Sequence, residues 1–379
     1  MLYRVLGKTG LRVSQLGFGA MRLPMQGEGT AARVDRDKAI PMIYRAFEGG
    51  VNYIDTAVMY CNDDSQWAVG EALKGWRDKV ILSTKNHYFG EDEGTWRRNL
   101  ENSLERLQTS HIDIYNTHGI NWKSYCTEVE PRVGKWMRKA LDEGLIKHIC
   151  TSFHDNNEAL LKLADTGYAD VITLQYNLLD RELEEGIGVL HAKGIGVIVM
   201  GPVGGGRLGA SSEILQSINP EIRRVPELAL RFVLANPNVS IALSGMSTIE
   251  QVEENLRIAD SAAALTEGDR NAMDAQLSRL KAMADLYCTG CKYCVPCPSD
   301  INIPRIFQMY NEARVYGLWD HAKKSYARMC ESGEEGQQPA DACVDCGECL
   351  SKCPQSIPIP DQLREAATAL RQEKDAESI

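Results

Sequence analysis

The sequence predicts an α/β chain: a parallel (β/α)8 barrel of the TIM type, followed by a small, cysteine-rich helical domain. Two observations predict the barrel. Apolar strand-like runs alternate with amphipathic helical stretches eight times between residues 14 and 258, and such an alternation closes most naturally on itself. Ionisable side chains also stand directly at the ends of successive runs, where parallel α/β folds gather their chemistry. A third observation sets the appendage. Of 12 cysteines, eight fall into two tight groups beyond residue 287.

Bulk properties agree with this outline. A length of 379 residues suits one large domain plus a smaller one. Hydrophobic content of 44% and charged content of 25% are those of a soluble globular chain. A net charge of -10 argues against nucleic acid as a partner, because phosphate binding needs clustered Lys and Arg. No apolar run has the length to span a bilayer, so no membrane partner is expected. Met1-Leu2-Tyr3-Arg4 opens no secretory signal, and the expected location is the cytoplasm.

In chain order, 3-YRVLGKTGLRVSQLGFG-19 reads as two short strands about a glycine turn, suited to closing the bottom of a barrel. Gly19, Ala20 and Met21 follow the first barrel strand, and such small residues let a cofactor approach the backbone. Helices are expected at 35–49, 64–75, 95–107, 130–143, 156–165, 182–193, 226–235 and 248–258. In the helix from Thr95, its expected cap, Trp96, Leu100, Leu104 and Leu107 form one buried face. Later strands are expected near 146–150, 170–174, 195–200 and 239–243. Thr266 and Asp269 would cap a connecting helix over 266–287, with Met273, Leu277, Leu280 and Ala284 along one face.

The strand ends carry the chemistry. The run ending at Ile54 leads into Asp55, with Tyr60 five residues on; 79-KVILST-84 ends in Lys85; 112-IDIYNT-117 ends in His118. Singly, each has an ordinary reading as a rim tyrosine, a solvated lysine or a helix-capping aspartate. Together they fit one set of roles. Tyr60 would protonate a carbonyl oxygen as general acid, Lys85 would lower its pKa, Asp55 would pair with Lys85, and His118 would orient the substrate oxygen or share its proton.

These residues, with the segment DTAVMY matching a DTAxxY motif, resemble the aldo-keto reductase family over roughly residues 1 to 260. That family carries an Asp-Tyr-Lys-His tetrad in this chain order. The resemblance implies an NAD(P)H-dependent oxidoreductase interconverting a carbonyl and an alcohol, with Asp55 also beside the cofactor. It implies that Ser152, Gln175 and Asn177 bond the nicotinamide carboxamide and that Tyr176 stacks on the ring. Gly201 and Gly204, in 200-MGPVGGGRLG-209, would offer backbone N–H groups to the pyrophosphate. Ser244, Gly245 and Met246 would line the adenosine phosphate, with Glu254 and Asn255 at the adenine. Members specific for NADPH place a basic residue where Gly245 and Gln251 stand here, and no Lys or Arg follows nearby before Arg257. NADP or NAD therefore both remain open as the cofactor. Tyr88, Phe89, Trp122 and Tyr125 lie in loops that could line an apolar substrate pocket.

Beyond the barrel, 288-CTGCKYCVPCP-298 reads C-x2-C-x2-C-x2-C-P and 343-CVDCGECLSKCP-354 reads C-x2-C-x2-C-x3-C-P. The second is the ferredoxin run for 4Fe–4S ligation, in which the cysteine before proline serves the other cluster. Two clusters are expected: Cys288, Cys291 and Cys294 with Cys353, and Cys343, Cys346 and Cys349 with Cys297. The shorter spacing of the first group leaves a single cluster on the second as an alternative, and structural zinc is a further one. The intervening 304–330 is helical in pattern, giving an α-helical, ferredoxin-like iron–sulfur domain over 288–360, with Cys330 a buried spectator. Residues 361–379 are a polar, charged tail that reads as a surface helix fraying at its end.

Hydride transfer moves two electrons and a 4Fe–4S centre passes one, and the sequence shows no recognisable flavin site to join them. The clusters would then stabilise the domain or serve a separate redox partner. An electron-transfer protein using the barrel as a binding scaffold is the competing reading.

Overall fold

The computed structural model describes residues 1–209, 212–218, 222, 224–260, 267–285, 288, 292–332, 336–353 and 357–371. The chain divides into two compact units, Met1–Gly205 with Ala229–Leu265, and Gly206–Leu228 with Thr266–Ile379.

In the first unit, eight parallel strands close into a barrel in chain order. They are Leu16–Gly19, Tyr53–Asp55, Ile81–Asn86, Ile112–Ile120, Ile146–Phe153, Val171–Gln175, Gly196–Met200 and Ile241–Gly245. The seam between the last and the first pairs Ala242 with Leu16 and Gly245 with Gly19. Glycine is required within the first strand for close packing: a Cβ on Gly17 would stand 2.8 Å from Ile241 Cγ2. The amino-terminal hairpin, Tyr3–Val5 paired with Arg12–Ser14, closes the barrel floor as its sequence predicts. Its Leu6 and Val13 are fully buried with Tyr53, Ile114, Val171, Ile198 and Ile241. Apolar burial at the floor leaves the carboxyl ends of the strands free for polar groups.

The helices fall where the 3.6-residue period puts them, with differences at the ends. The helix at Glu93–Arg106 starts before Thr95 because Asp92 caps it, accepting from the Gly94 and Thr95 amides. The helix expected from residue 130 starts at Gly134, after a widened helical turn over Tyr125–Val133 that contains Pro131.

The second unit has its own core. Helices Ile303–Tyr316 and Trp319–Glu331 replace the single run expected there, because Gly317, in the left-handed region at φ 67°, ends the first. Pro304 sits in the opening turn of that helix, as predicted. The surface helix expected from Asp361 is present, but it begins at Ile359 and its burial needs correction. Ile359–Leu370 is a helix whose Leu363, Ala366, Ala367 and Leu370 are buried with Ile306, Phe307 and Tyr310. Its apolar residues recur at i, i+3, i+4 and i+7, a helical stripe hidden by the surrounding charges. Cys330 is half-buried against the same core. Met273 and Leu277 are buried along Glu267–Asp285 as expected, whereas Thr266 and the Leu280 and Ala284 side chains lie outside the described residues. Among the described residues, no helix is long and apolar enough to cross a membrane.

Candidate active site and cluster site

Three neighbouring strands bring Asp55, Lys85 and His118 to one end of the barrel, and the loop after the second strand adds Tyr60. Asp55 and Lys85 form an ion pair, each side chain only 4% exposed. Lys85 also donates to the Thr56 carbonyl at 2.9 Å, and its ammonium lies 4.8 Å from the Tyr60 ring centroid. The Tyr60 and His118 rings meet edge-on at 6.1 Å. Directly after Tyr60, Cys61, Asn62 and Asp63 all hold positive φ, at 54°, 53° and 65°. Successive left-handed residues without glycine are strained. Asn62 holds the turn by donating to the Gly29 and Ala32 carbonyls at 3.0 and 3.2 Å.

The electrostatics differ from expectation at Tyr60. Burial pushes the phenol pKa up by more than the Lys85 ammonium pulls it down. The tyrosine is therefore held as a neutral proton donor, and the expected net lowering is absent. Burial works against the charge on Lys85 too, but Asp55 and then Tyr60 outweigh it, and the lysine pKa is raised. Burial, reinforced by Lys85, pushes His118 down to about 4, so its imidazole is neutral at neutral pH.

The predicted cofactor residues form a track over neighbouring strand ends. Gly19 lies between Asp55 and Gly245 in register. Ala20 and Met21 continue into a short turn, the first buried and the second exposed. Ser152 is buried, and its hydroxyl has no hydrogen-bond partner among the described residues. Such an orphaned group suits an amide ligand, since leaving it unmade is costly. Gln175 is exposed at the end of its strand. Gly201 and Gly204 take φ of 64° and 59°, which favours glycine. Ser244 accepts from Asn255 at 3.0 Å, and Gln251 accepts from the Ser247 amide at 2.8 Å. Glu254 shares the Ile249–Asp260 helix with Gln251 and Asn255.

In the second unit, one cavity is lined by Cys297, Cys343, Cys346 and Cys349, together with Cys294 and Lys352. Burial and then the neighbouring Cys343, Cys346 and Cys297 push the Cys349 thiol up. Cys288, Cys294 and Cys353 border the same core, and Cys291 lies outside the described residues. Among the described residues, no three His, Cys, Asp or Glu side chains gather closely enough to hold a single metal ion.

Residues 15–277 match the aldo/keto reductase family. The chain belongs to that family. Residues 287–357 match a 4Fe-4S dicluster domain. This aldo/keto reductase is 31% identical to L-galactose dehydrogenase of Arabidopsis thaliana over 310 residues, 74% of this chain and 94% of the relative. It is 28% identical to an NADH-specific methylglyoxal reductase of Escherichia coli over 331 residues, 74% of this chain and 97% of that protein. Among solved structures it is similar to the holo form of an aldo-keto reductase from Bacillus halodurans, with a TM-score of 0.63 and 30% identity over 73% of this chain and 96% of that one. A Klebsiella pneumoniae aldo/keto reductase in complex with NADP and acetate gives a TM-score of 0.58 and 26% identity, covering 73% and 94% of the two chains. The chain is thus an NAD(P)-dependent oxidoreductase of this family with a 4Fe–4S dicluster domain.

Within this aldo/keto reductase, three expected cofactor contacts are placed differently. Tyr176 is fully buried against Phe232, with its hydroxyl donating to Glu184 at 2.7 Å. Alternation from Gln175 turns it towards the helices, so it is not free to stack on a nicotinamide. Asn177 is also buried, donating to the Gly201 carbonyl at 3.3 Å and accepting from the Leu179 amide at 3.0 Å. It holds the loop together. The Met246 side chain is buried, so it does not itself line an open phosphate site.

Other polar groups escaped the sequence reading. Ser83 donates to Asp55 at 2.8 Å, and Asn116 donates to Ser83 at 3.0 Å. Each stands two residues before a tetrad member, on the same strand face. That period-2 placement of polar groups in apolar runs was the available signal. Arg22 was missed altogether: its side chain lies over Gly245 and donates to the Gly205 carbonyl at 2.7 Å. Of the predicted pocket aromatics, Trp122 and Tyr125 stack at 5.4 Å, Tyr88 accepts from the Asp92 amide through its hydroxyl, and Phe89 is half-buried.

Proposed function

We propose that the protein interconverts a carbonyl and an alcohol, with Tyr60 as general acid in the reducing direction. The convergence of Tyr60 with the buried Asp55–Lys85 pair and a neutral His118 carries this reading. A bound nicotinamide would supply the hydride. Ser152 and Gln175 would hold its carboxamide, and the glycines at 19, 201, 204 and 245 would admit its phosphates close to the backbone. Tyr60 keeps its proton until a carbonyl oxygen takes it, while Lys85 stabilises the phenolate left behind. Asp55 keeps Lys85 charged, and Ser83 and Asn116 hold Asp55 in place. His118 would donate or accept a hydrogen bond at the substrate oxygen without carrying charge. The names of the plant and bacterial relatives point to a sugar and a 2-oxoaldehyde, which supports a small oxygenated carbonyl substrate.

In the domain over 288–360, extended by the helix to Leu370, two 4Fe–4S clusters would supply one-electron chemistry. The ligand sets are those read from the spacing, Cys343, Cys346, Cys349 with Cys297, and Cys288, Cys291, Cys294 with Cys353. The cavity among the first four supports that set. The test is to supply anaerobically purified protein with NADH or NADPH and a panel of aldehydes, ketones and sugars. Cofactor oxidised in equal amount to alcohol formed is the expected result. A reductant consumed without alcohol, or no turnover across the panel, would contradict the reading.

A further inference from the structure

We infer that Ser212 is a positioning residue that ties the glycine loop after the seventh strand to the iron–sulfur domain, so that nicotinamide binding and cluster retention reinforce one another. The inference rests on the proposed cofactor track, to which Gly201 and Gly204 belong. Directly after those glycines the chain leaves the barrel unit. It enters the second unit at Gly206 and returns at Ala229, inside the helix Val225–Leu234 that follows. The seventh strand ends at Met200, so this connection is far longer than the about 2–6 residues usual between a strand and its helix. Ser212 pins it. The residue is 4% exposed and caps the helix Glu213–Gln216, accepting from the Leu215 amide at 3.1 Å. Its hydroxyl donates in turn to the Tyr316 carbonyl at 2.5 Å. Tyr316 ends the helix Ile303–Tyr316, and a Cβ on the following Gly317 would stand 3.0 Å from Ser212 Oγ and 3.5 Å from Ile214 Cδ1. Leu215 and Leu318, one from each segment, are fully buried.

The other end of the link is the cysteine core. The helix that ends at Tyr316 buries Ile306, Phe307 and Tyr310 in the core against which Cys288, Cys297, Cys343, Cys349 and Cys353 pack. With these cysteines joined through clusters the helix is braced, and its end holds Ser212. The loop is then restrained before a dinucleotide arrives, and less ordering remains to oppose binding. By reciprocity, a bound dinucleotide favours the braced helix to the same degree. The coupling is mechanical and needs no electron to pass between nicotinamide and cluster.

The test uses the iron-loaded full chain as wild type, Ser212→Ala and Ser212→Thr, with iron measured on every sample. Dissociation constants of NADH and NADPH come from fluorescence titration, and iron loss to a chelator is timed with and without saturating nicotinamide. Ser212→Ala is expected to weaken whichever cofactor the wild type binds by about three- to tenfold, the contribution of one hydrogen bond. Ser212→Thr keeps the hydroxyl and should restore binding. Nicotinamide should slow iron loss from wild type and Ser212→Thr but not from Ser212→Ala. A serine that merely caps its own helix would leave that protection intact in Ser212→Ala, and this result would overturn the proposal. Gly317→Ala, which crowds Ser212 from the other segment, should weaken cofactor binding in the same way. Unchanged binding in both Ser212→Ala and Gly317→Ala would also overturn it. Failure of the wild type to bind either cofactor would instead overturn the cofactor track itself.

Discussion

At Lys85 two large effects oppose one another. Enclosing an ammonium in the barrel is unfavourable, and the Asp55 carboxylate is the largest of the contacts that make it tolerable. Removing one partner of a buried pair costs about 3–5 kcal/mol, because the other charge stays buried. Asp55→Asn should therefore lower the unfolding free energy by that order in urea melts, besides reducing turnover. His118 gives a separate pH signature. In the unfolded chain its pKa lies near ~6.5, but in the fold burial pushes it down to about 4. Between those values the unfolded state binds more protons, so stability falls as pH drops through this window. His118→Asn should flatten that part of the pH dependence when urea unfolding is measured at pH 4.5 and 7. The tetrad was legible because Asp55, Lys85 and His118 stand at or near strand ends and Tyr60 follows in the loop after Asp55. Arg22 was not, since its neighbours at 205 and 245 are distant in sequence and meet it only through barrel closure. Tyr176 was misread because its strand parity sends it outward, which a motif match does not reveal.

Among the elements, boundaries were less legible than existence. Both Asp92 and Thr95 can cap a helix, and the structure uses Asp92, with Thr95 donating its hydroxyl to that carboxylate at 2.6 Å. Asp92→Ala should lower the thermal midpoint of unfolding more than Thr95→Ala does, as scanning calorimetry would read. The last helix makes a stronger contrast. Leu363 is 1% exposed in the core of the second unit. Leu363→Ala should cost about 2–5 kcal/mol of that unit's stability and lower the iron bound per chain. A helix lying on the surface would tolerate the change with no loss of iron. Its apolar stripe was present in the sequence, but the charged residues between its members masked it.

Across the whole molecule, the eight-stranded order was readable because every strand is an apolar run with a helical return, and barrel closure follows from that alternation. The cysteine spacing likewise announced the second domain. The same spacing grouped Cys297 with Cys343, Cys346 and Cys349, and these four line one cavity; what it could not give was where the helices between the two runs begin and end. Hydride transfer and cluster reduction differ in electron count, and the two are proposed to run separately. Anaerobic addition of NADH or NADPH alone should therefore leave the visible absorbance of the clusters in place, while nicotinamide binding is seen by fluorescence. Bleaching would show an electron path between them.

Tyr60 is proposed to deliver the proton in carbonyl reduction. The most direct test is the turnover of Tyr60→Phe against wild type, with iron measured on the same samples. General acid catalysis contributes roughly 10²–10⁴-fold, so turnover should fall by at least about a hundredfold while iron content stays the same. Turnover that survives the loss of the hydroxyl would contradict the account.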